Sequence, residues 1–230
     1  MNDNPDEISK LYAARFSGAG AHRTAVWSAL TAYFSRWIDE RDVVLDLGAG
    51  YCEFINAVKA SRKYALDLNP DTKSQAHADV TVLERSSTEP WPLEDEAVDV
   101  VFTSNFLEHL PDKSAVAATL LEARRVLKPG GLLIALGPNI RYLPGAYWDF
   151  FDHHVALTDV SLAELLSSRG FCVELRLPKF LPYTMSVGRQ YPRWMVRAYL
   201  ALPLVWRLLG KQFLIVARKG STSASPRASG

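Results

Sequence analysis

The segment from Val43 to Asp67 constrains the fold more than any other part of the chain. It begins with the apolar run Val43–Leu47, continues through glycines at positions 48 and 50, and ends in a second apolar run closed by Asp67. Branched aliphatic side chains favour a buried parallel strand, and glycine lets the backbone turn sharply and approach a ligand closely. The order strand, glycine turn, helix, strand therefore predicts an α/β nucleotide-binding unit.

The spacing of the acidic residue narrows the choice of cofactor. Asp67 lies nineteen residues after Gly48, close to the roughly 20-residue offset at which an acidic side chain meets ribose hydroxyls. A dinucleotide fingerprint would need a third glycine five residues after Gly48, but Glu53 stands there. We therefore expect a ribose-containing cofactor other than a nicotinamide dinucleotide.

Three further segments follow in a recognisable order. They span residues 78–83, 86–112 and 122–136, and the last contains a Lys-Pro-Gly-Gly sequence. Together with the acidic strand end and the two glycines, they resemble the class I S-adenosylmethionine (SAM) dependent methyltransferases, specifically those called type 11. Cys52 stands where that family carries its third motif glycine. The resemblance covers roughly residues 43–170, more than half of the chain.

The resemblance implies an α/β fold, a doubly wound Rossmann-like seven-stranded sheet with an N-terminal helical lid and a helical insertion before the last strand. The alternation of apolar runs agrees with this fold, and apolar spacing predicts helices over 8–16 and 24–38. Between Asp67 and Val80 we expect only a loop or a single turn, because the stretch is short and polar. We expect one domain over 1–220, with N-terminal helices at 1–40, the core at 43–177 and 211–218, a hydrophobic insertion at 178–210 and a disordered tail at 221–230.

The composition fits a compact enzyme that does not bind nucleic acid. The 230 residues are 48% hydrophobic, and 26 basic residues balance 25 acidic ones, so no net charge attracts DNA or RNA. Cys52 and Cys172 are the only cysteines, which argues against a disulfide framework and suits a reducing cytosol. The N-terminus is acidic and polar, unlike a secretory signal, and we expect a cytoplasmic protein.

The resemblance also implies the cofactor contacts. Asp46 and the backbone at Gly48 and Gly50 should contact the methionine half of SAM, and Asp67 should accept the ribose hydroxyls. For Asp46 the alternative is that it caps the following turn, and Tyr51 could be helix packing instead of a cofactor wall. The other residues expected near SAM are Leu68, Ser87 and Thr88 towards the ribose and adenine, and Asn105 and Phe106 after the fourth strand.

Three histidines are candidates for a general base. The implied reaction is in-line displacement of the sulfonium methyl by a nucleophile, and imidazole titrates in the range that deprotonating a hydroxyl requires. His109 follows the fourth strand, and His153 and His154 lie in the loop at 149–154, where either could instead pin the loop. Asp152, His153 and His154 are adjacent, and adjacent side chains rarely converge, so we expect no metal site.

Two flanking segments are predicted to shape acceptor binding. Residues 12–20 look like the lid of this family, an aromatic helix on a glycine hinge that excludes water, although Tyr12 and Phe16 could simply pack on the sheet. The insertion is apolar but broken by Arg197, Pro203 and Arg207, so it is not a spanning helix. It can cover the acceptor pocket, form a homodimer face, or contact a membrane peripherally through residues 190–209.

The sequence therefore predicts a SAM-dependent methyltransferase that acts on a small-molecule or saccharide acceptor. A lipid-linked saccharide is one form that this acceptor could take, and we expect oxygen to be the methylated atom. The residues at 104–107 lack the Asn/Asp-Pro-Pro-aromatic sequence typical of base amino-group methylation. Because Cys52 and Ser87 depart from the family pattern, the alternative is a SAM-binding regulatory or scaffold protein without turnover.

Overall fold

One mixed sheet forms the centre of the computed structural model, which describes residues 20–183 and 191–220. Its strands are β1 (Val43–Leu47), β2 (Arg62–Asp67), β3 (Val80–Glu84), β4 (Val98–Ser104), β5 (Leu127–Pro138), β6 (Phe171–Leu181) and β7 (Gln212–Lys219). The described helices are α1 (Gly20–Phe34), α2 (Glu53–Ala57), α3 (Thr72–Gln75), α4 (Lys113–Val126), α5 (Asp159–Ser168), α6 (Arg193–Leu200) and α7 (Pro203–Leu209). Short 3-10 turns lie at Leu107–His109, Ile140–Tyr142 and Ala146–Asp149.

The strand order is β3-β2-β1-β4-β5-β7-β6. Strands β1 to β5 are mutually parallel, whereas β7 runs antiparallel to both β5 and β6. The chain winds outwards from β1 to β3 and then returns to place β4 on the other side of β1. In open α/β sheets ligands bind at such a reversal, beyond the carboxyl ends of the strands. The predicted seven-stranded, doubly wound α/β fold is confirmed.

Apolar layers cover both faces of the sheet. Helices α1, α2, α6 and α7 contribute to one layer, and α4 and α5 contribute to the other. Successive residues of a strand point to opposite faces, so Val44 joins the first layer and Leu45 the second. Strands buried on both faces must be apolar nearly throughout, which is the reason for the continuous hydrophobic runs of β1, β4 and β5.

Local hydrogen bonds decide several element boundaries. Helix α5 begins at Asp159, because Thr158 and Ser161 form a reciprocal capping box. The Lys-Pro-Gly-Gly segment is part of β5, which is irregular against β4 between Val98 and Val100. Between Asp67 and Val80 the only helix is the single turn α3, as predicted.

The predicted helix at 8–16, the lid segment before Gly20 and the predicted tail at 221–230 lie outside the described residues. Within the two described ranges, each helix is too short or too polar to cross a membrane.

Candidate active site

A polar cleft lies beyond the carboxyl ends of β1 and β4, at the point where the strand order reverses. Its volume is about 130 Å³, below the roughly 300 Å³ at which ligand pockets usually start. Seven residues that were predicted to bind the cofactor or to act as general base line the cleft: Asp46, Gly48, Gly50, Tyr51, Asn105, His109 and His153. Among the described residues, the lining does not include Asp67, Leu68, Ser87, Thr88, Phe106 or His154.

Asp67 holds the glycine turn in place. Its Oδ2 accepts a hydrogen bond from the Gly50 N–H at 2.7 Å, and its Oδ1 accepts one from the Asn69 N–H at 2.8 Å. Burial raises the pKa of Asp67, against the opposing effect of these backbone donors. A carboxylate offers about four lone-pair sites, so the half-buried Asp67 retains acceptor capacity for a ligand beside the turn.

Gly48 is required by its surroundings as well as by its backbone. Its φ is +72°, and a Cβ added there would lie 2.3 Å from Cγ of Phe106. Phe106 therefore packs directly over the turn and belongs to the apolar layer of α4 and α5. The absence of a side chain at Gly48 therefore makes room for the Phe106 ring.

Cys52 adopts a left-handed backbone conformation, which glycine adopts readily, although it replaces a motif glycine. Its φ of +61° lies in the left-handed region, and its buried Sγ lies 3.6 Å from the carbonyl oxygen of Thr72. Burial, assisted by the charges of Asp46, Asp67 and Glu53, raises the pKa of the Cys52 thiol to about 12. The thiol is therefore unreactive near neutral pH, and its role is to pack beneath the turn.

Asp46 lies in the cleft wall and also accepts a backbone hydrogen bond from the following helix. It is buried, it lies in the cleft wall, and the backbone N–H of Ile55 in α2 donates to it. Burial and the neighbouring carboxylates Asp67 and Glu53 raise its pKa well above the ordinary value. A cation bound in the cleft would relieve this repulsion, and SAM carries positive charge on its sulfur and its ammonium group.

Arg23 is a cleft residue that the sequence analysis did not identify. Its Nε donates to Oε1 of Glu53 at 2.5 Å, and both side chains are largely buried in the cleft wall. A buried guanidinium can pair with a ligand carboxylate, such as that of a methionine moiety. In the sequence, Arg23 could be noticed only as a single arginine directly before the second predicted helix, whose apolar residues are helically spaced. Trp27, Phe150, Tyr183 and Gln212 also line the cleft and carried no sequence signal.

A group of imidazoles and carboxylates forms the opposite wall, and we call it the Glu108–His109–His153 cluster. One ligand-type atom of each of these three residues lies within 4.8 Å of the others. Nδ1 of His109 lies 3.0 Å from the carbonyl oxygen of Asp152 and 3.2 Å from its Oδ2. Burial lowers the pKa of His109, but the Asp152 hydrogen bond and the charges of Glu108 and Asp152 outweigh it, so the net shift is upward.

The two loop histidines point in different directions. His153 is buried, with its ring centroid 4.8 Å from that of Tyr147, 5.1 Å from that of Phe150 and 4.9 Å from that of His109. The side chain of His154 is exposed, and its backbone N–H donates to the Glu108 carbonyl at 2.9 Å. Extended backbone turns neighbouring side chains to opposite sides, so the cleft receives His109 and His153 but not His154.

The hydroxyls predicted near adenine do not face the cleft. The buried Ser87 Oγ lies 2.9 Å from Oγ1 of Thr119 on α4, and the exposed Thr88 pairs with Ser86. Leu68 is half-buried after β2. Asn105 has a φ of +49°, and its Nδ2 donates to Oγ of Ser104 at 3.0 Å, which orients its amide at the cleft wall.

Comparison with known proteins agrees with this geometry. A family model described as a methyltransferase domain matches residues 45–135. A probable S-adenosylmethionine-dependent methyltransferase of Mycolicibacterium smegmatis is 33% identical over 145 residues, which cover 61% of this chain and 55% of that protein. The chain spans about half the length of the curated relatives it matches.

Solved structures share the fold. A chain in the complex between the Haloferax volcanii Trm112 methyltransferase activator and a candidate methyltransferase has a TM-score of 0.70 at 19% identity, covering 96% of this chain and all of that one. A SAM-dependent methyltransferase of Thermotoga maritima, a possible histamine N-methyltransferase, has a TM-score of 0.66 at 19% identity, covering 93% of this chain and 99% of that one. Sequence motifs, family model and architecture agree in their similarity to the class I SAM-dependent methyltransferases, for which SAM is the expected cofactor.

Proposed function

We propose that this chain transfers the SAM methyl group to a hydroxyl oxygen of a small-molecule or saccharide acceptor that also carries an apolar part. The observation that supports this most directly is a second cavity of about 620 Å³ beside the cleft. The two cavities share Tyr183 in their walls. One end of a bound acceptor can therefore lie in the polar cleft while its apolar end lies in the larger cavity.

The second cavity is formed by the insertion where it covers the sheet. Val26 and Leu30 of α1 form one wall, and Val196, Tyr199 and Val205 of the insertion helices form another. The Tyr199 hydroxyl donates to the Phe180 carbonyl at 2.7 Å, and Nε1 of Trp206 donates to the Tyr199 carbonyl at 2.8 Å. These bonds hold the insertion helices against β6, and the apolar cavity between them suits an acyl or prenyl chain.

In the polar cleft, SAM is proposed to lie across the glycine turn with its methyl group directed towards the Glu108–His109–His153 cluster. Asp67 would accept the ribose hydroxyls, and Arg23 would pair with the methionine carboxylate. The acceptor hydroxyl would then approach from the side of the cluster, where imidazole and carboxylate groups can handle its proton. This arrangement supports an enzyme more than a scaffold, because binding SAM alone has no use for that cluster.

Filling the apolar cavity should reduce methyl transfer to acceptors with a long apolar chain more than to acceptors without one. Val196→Trp should lower kcat/KM about 100-fold for acceptors with a long apolar chain, because excluding four methylenes at about 0.8 kcal/mol each costs about 3 kcal/mol. S-adenosylhomocysteine (SAH) binding should change less than about twofold. Radiolabelled methyl transfer to paired acceptors, a hydroxylated sugar with and without the chain, measures the effect.

Arg197→Trp provides the matched control, because Arg197 is exposed on the same helix and outside the cavity wall. It should leave transfer to both acceptors unchanged. If Val196→Trp reduces transfer to the short and the long acceptor equally, the cavity does not hold the chain. If no hydroxylated acceptor is methylated by the wild type, oxygen methylation itself is wrong.

We also propose that the insertion contacts a membrane surface peripherally, next to the cytoplasm. Trp194, Leu204 and Leu208 are 67%, 74% and 80% exposed, and Arg193, Arg197 and Arg207 are exposed on the same two helices. Exposed aromatic and aliphatic side chains among arginines are typical of helices that lie in an anionic interface. A homodimer through the same face is the competing prediction.

The double substitution Leu204→Glu/Leu208→Glu should weaken binding to vesicles that contain phosphatidylglycerol at least about tenfold, because it removes two apolar anchors and adds negative charge. Vesicle flotation measures this binding. Leu121→Glu is the control, since Leu121 is 46% exposed on α4, at the opposite face of the sheet. Equal flotation of the double variant and the wild type would exclude the contact, and wild-type dimers in sedimentation would favour the competing prediction.

A further inference from the structure

The Glu108–His109–His153 cluster has the composition of a catalytic metal site. Two imidazoles and one carboxylate provide one ligand atom each, all within 4.8 Å of one another. This donor set is found in zinc enzymes that leave one coordination position for water or substrate and in related sites for other divalent transition metals. Mg²⁺ prefers oxygen ligands, so two imidazoles favour Zn²⁺.

The residues come from two segments that the fold brings together. Glu108 and His109 lie in the turn Leu107–His109 after β4, and His153 lies in the loop after β5. The backbone N–H groups of His154 and Val155 donate to the Glu108 carbonyl at 2.9 and 3.1 Å, which ties the two segments to each other. From the sequence no metal site was expected, because Asp152, His153 and His154 are adjacent in one loop. In the structure the candidate ligands come from two segments.

Asp152 orients one of the imidazoles for coordination. Both Asp152 atoms near Nδ1 of His109 are hydrogen-bond acceptors, so Nδ1 carries the hydrogen and Nε2 of the neutral ring keeps its lone pair. A carboxylate or carbonyl behind a histidine in this way is the usual second partner of a metal-bound imidazole. The ring of His153 is fixed by packing against Tyr147 and Phe150.

The distances allow an ion with modest adjustment. Zinc ligands lie about 2.1 Å from the metal, and tetrahedral angles separate two of them by about 3.4 Å. The ligand atoms of the cluster lie within 4.8 Å of one another, so they would approach one another by at most about 1.4 Å on binding an ion. The three residues line the same cleft as Asp46, Gly50 and Asn105.

We propose that the Glu108–His109–His153 cluster binds one divalent transition-metal ion, with Zn²⁺ as the best-fitting ion, and that this ion holds and activates the acceptor hydroxyl. The role in activation rests on the proposed function, whereas the metal site itself does not. An acceptor oxygen bound to the ion loses its proton to solvent water, because coordination lowers the pKa of the hydroxyl. The oxygen lone pair then forms the O–CH₃ bond as the methyl–sulfur bond breaks, its electron pair stays on sulfur, and SAH and a methyl ether result.

Calorimetric titration of Zn²⁺ into chelator-treated protein tests the site without any acceptor. We expect the wild type to bind one equivalent, and Glu108→Gln, His109→Gln and His153→Gln each to bind at least about 100-fold more weakly. His154→Gln should bind like the wild type, because its side chain is exposed outside the cleft. Asp152→Asn should weaken binding about tenfold by disturbing the ring that it orients.

SAH affinity measured on the same samples separates folding and cofactor binding from the metal site. The isosteric Glu108→Gln variant should bind SAH within about twofold of the wild type while losing Zn²⁺. If wild type and Glu108→Gln bind Zn²⁺ equally while both bind SAH, the metal site is wrong and the proposed function stands. If Zn²⁺ binds as expected but no acceptor is methylated, the metal site stands and the proposed function fails.

Discussion

Replacing Asp67 by alanine should weaken SAH binding at least about 100-fold. A hydrogen bond to a charged acceptor contributes about 1.5–3 kcal/mol, and losing two ribose contacts therefore costs at least about 3 kcal/mol, or two orders of magnitude in Kd. The same substitution removes the acceptor of the Gly50 and Asn69 N–H groups, so the glycine turn should also loosen. Calorimetry measures the affinity, and urea unfolding measures the stability.

A modified ligand separates the ribose contact from the effect on the turn. SAH without its ribose 2′-hydroxyl should bind the wild type about tenfold more weakly than SAH does, but should bind Asp67→Ala as weakly as SAH itself. Glu84→Ala is the control, because Glu84 is an exposed carboxylate paired in register with Asp67 at the end of the neighbouring strand. If Asp67→Ala still discriminates between the two ligands, Asp67 does not contact the 2′-hydroxyl.

Gly48→Ala should destabilise the protein by about 3 kcal/mol and weaken SAH binding more than about tenfold. A left-handed backbone costs a residue other than glycine about 1–3 kcal/mol. The new Cβ would also lie within 2.3 Å of the Phe106 ring, and overpacking of this kind typically costs about 1–3 kcal/mol. Urea unfolding and SAH calorimetry on the purified variant check both effects.

A double-mutant cycle measures how much of the destabilisation caused by Gly48→Ala comes from contact with Phe106. In a Phe106→Ala background, Gly48→Ala should cost about 1 kcal/mol less, because the ring contact is removed while the backbone strain and the contact with Cβ of residue 106, 2.6 Å away, remain. Gly145→Ala is the matched control, since nothing lies within 4 Å of a Cβ there and its φ is −97°, and its effect should stay below about 0.5 kcal/mol. Additive costs of Gly48→Ala and Phe106→Ala would contradict the packing that we describe.

The sequence was informative wherever a residue has a local reason for its position. The strand at 43–47, the glycine turn, the place of Asp67 at the end of β2 and the single turn α3 could all be predicted, because burial, backbone freedom and short spacing are encoded locally. Cys52 looked like a departure from the family pattern. Its left-handed backbone conformation could not be read from the residue type, because the surrounding contacts impose it.

The acceptor side of the cleft could not be predicted in the same way. Glu108 and His153 are 45 positions apart by residue number and meet only because β4 and β5 are neighbouring parallel strands. Whether His153 or His154 faces inwards depends on loop geometry. Arg23 reaches the cleft from α1, which begins at Gly20, before the helix predicted over 24–38. The Ser87 hydroxyl pairs with that of Thr119 on α4, 32 positions further along the chain. Contacts of this kind are set by tertiary structure.

Calorimetric titration of the wild-type protein with SAM and SAH tests the cofactor assignment most directly. We predict that one equivalent of each binds, with SAH as tight as SAM or tighter, and that Asp67→Ala weakens this binding at least about 100-fold. Absence of SAM and SAH binding to folded wild-type protein would contradict the assignment of this cleft as a methyl-donor site.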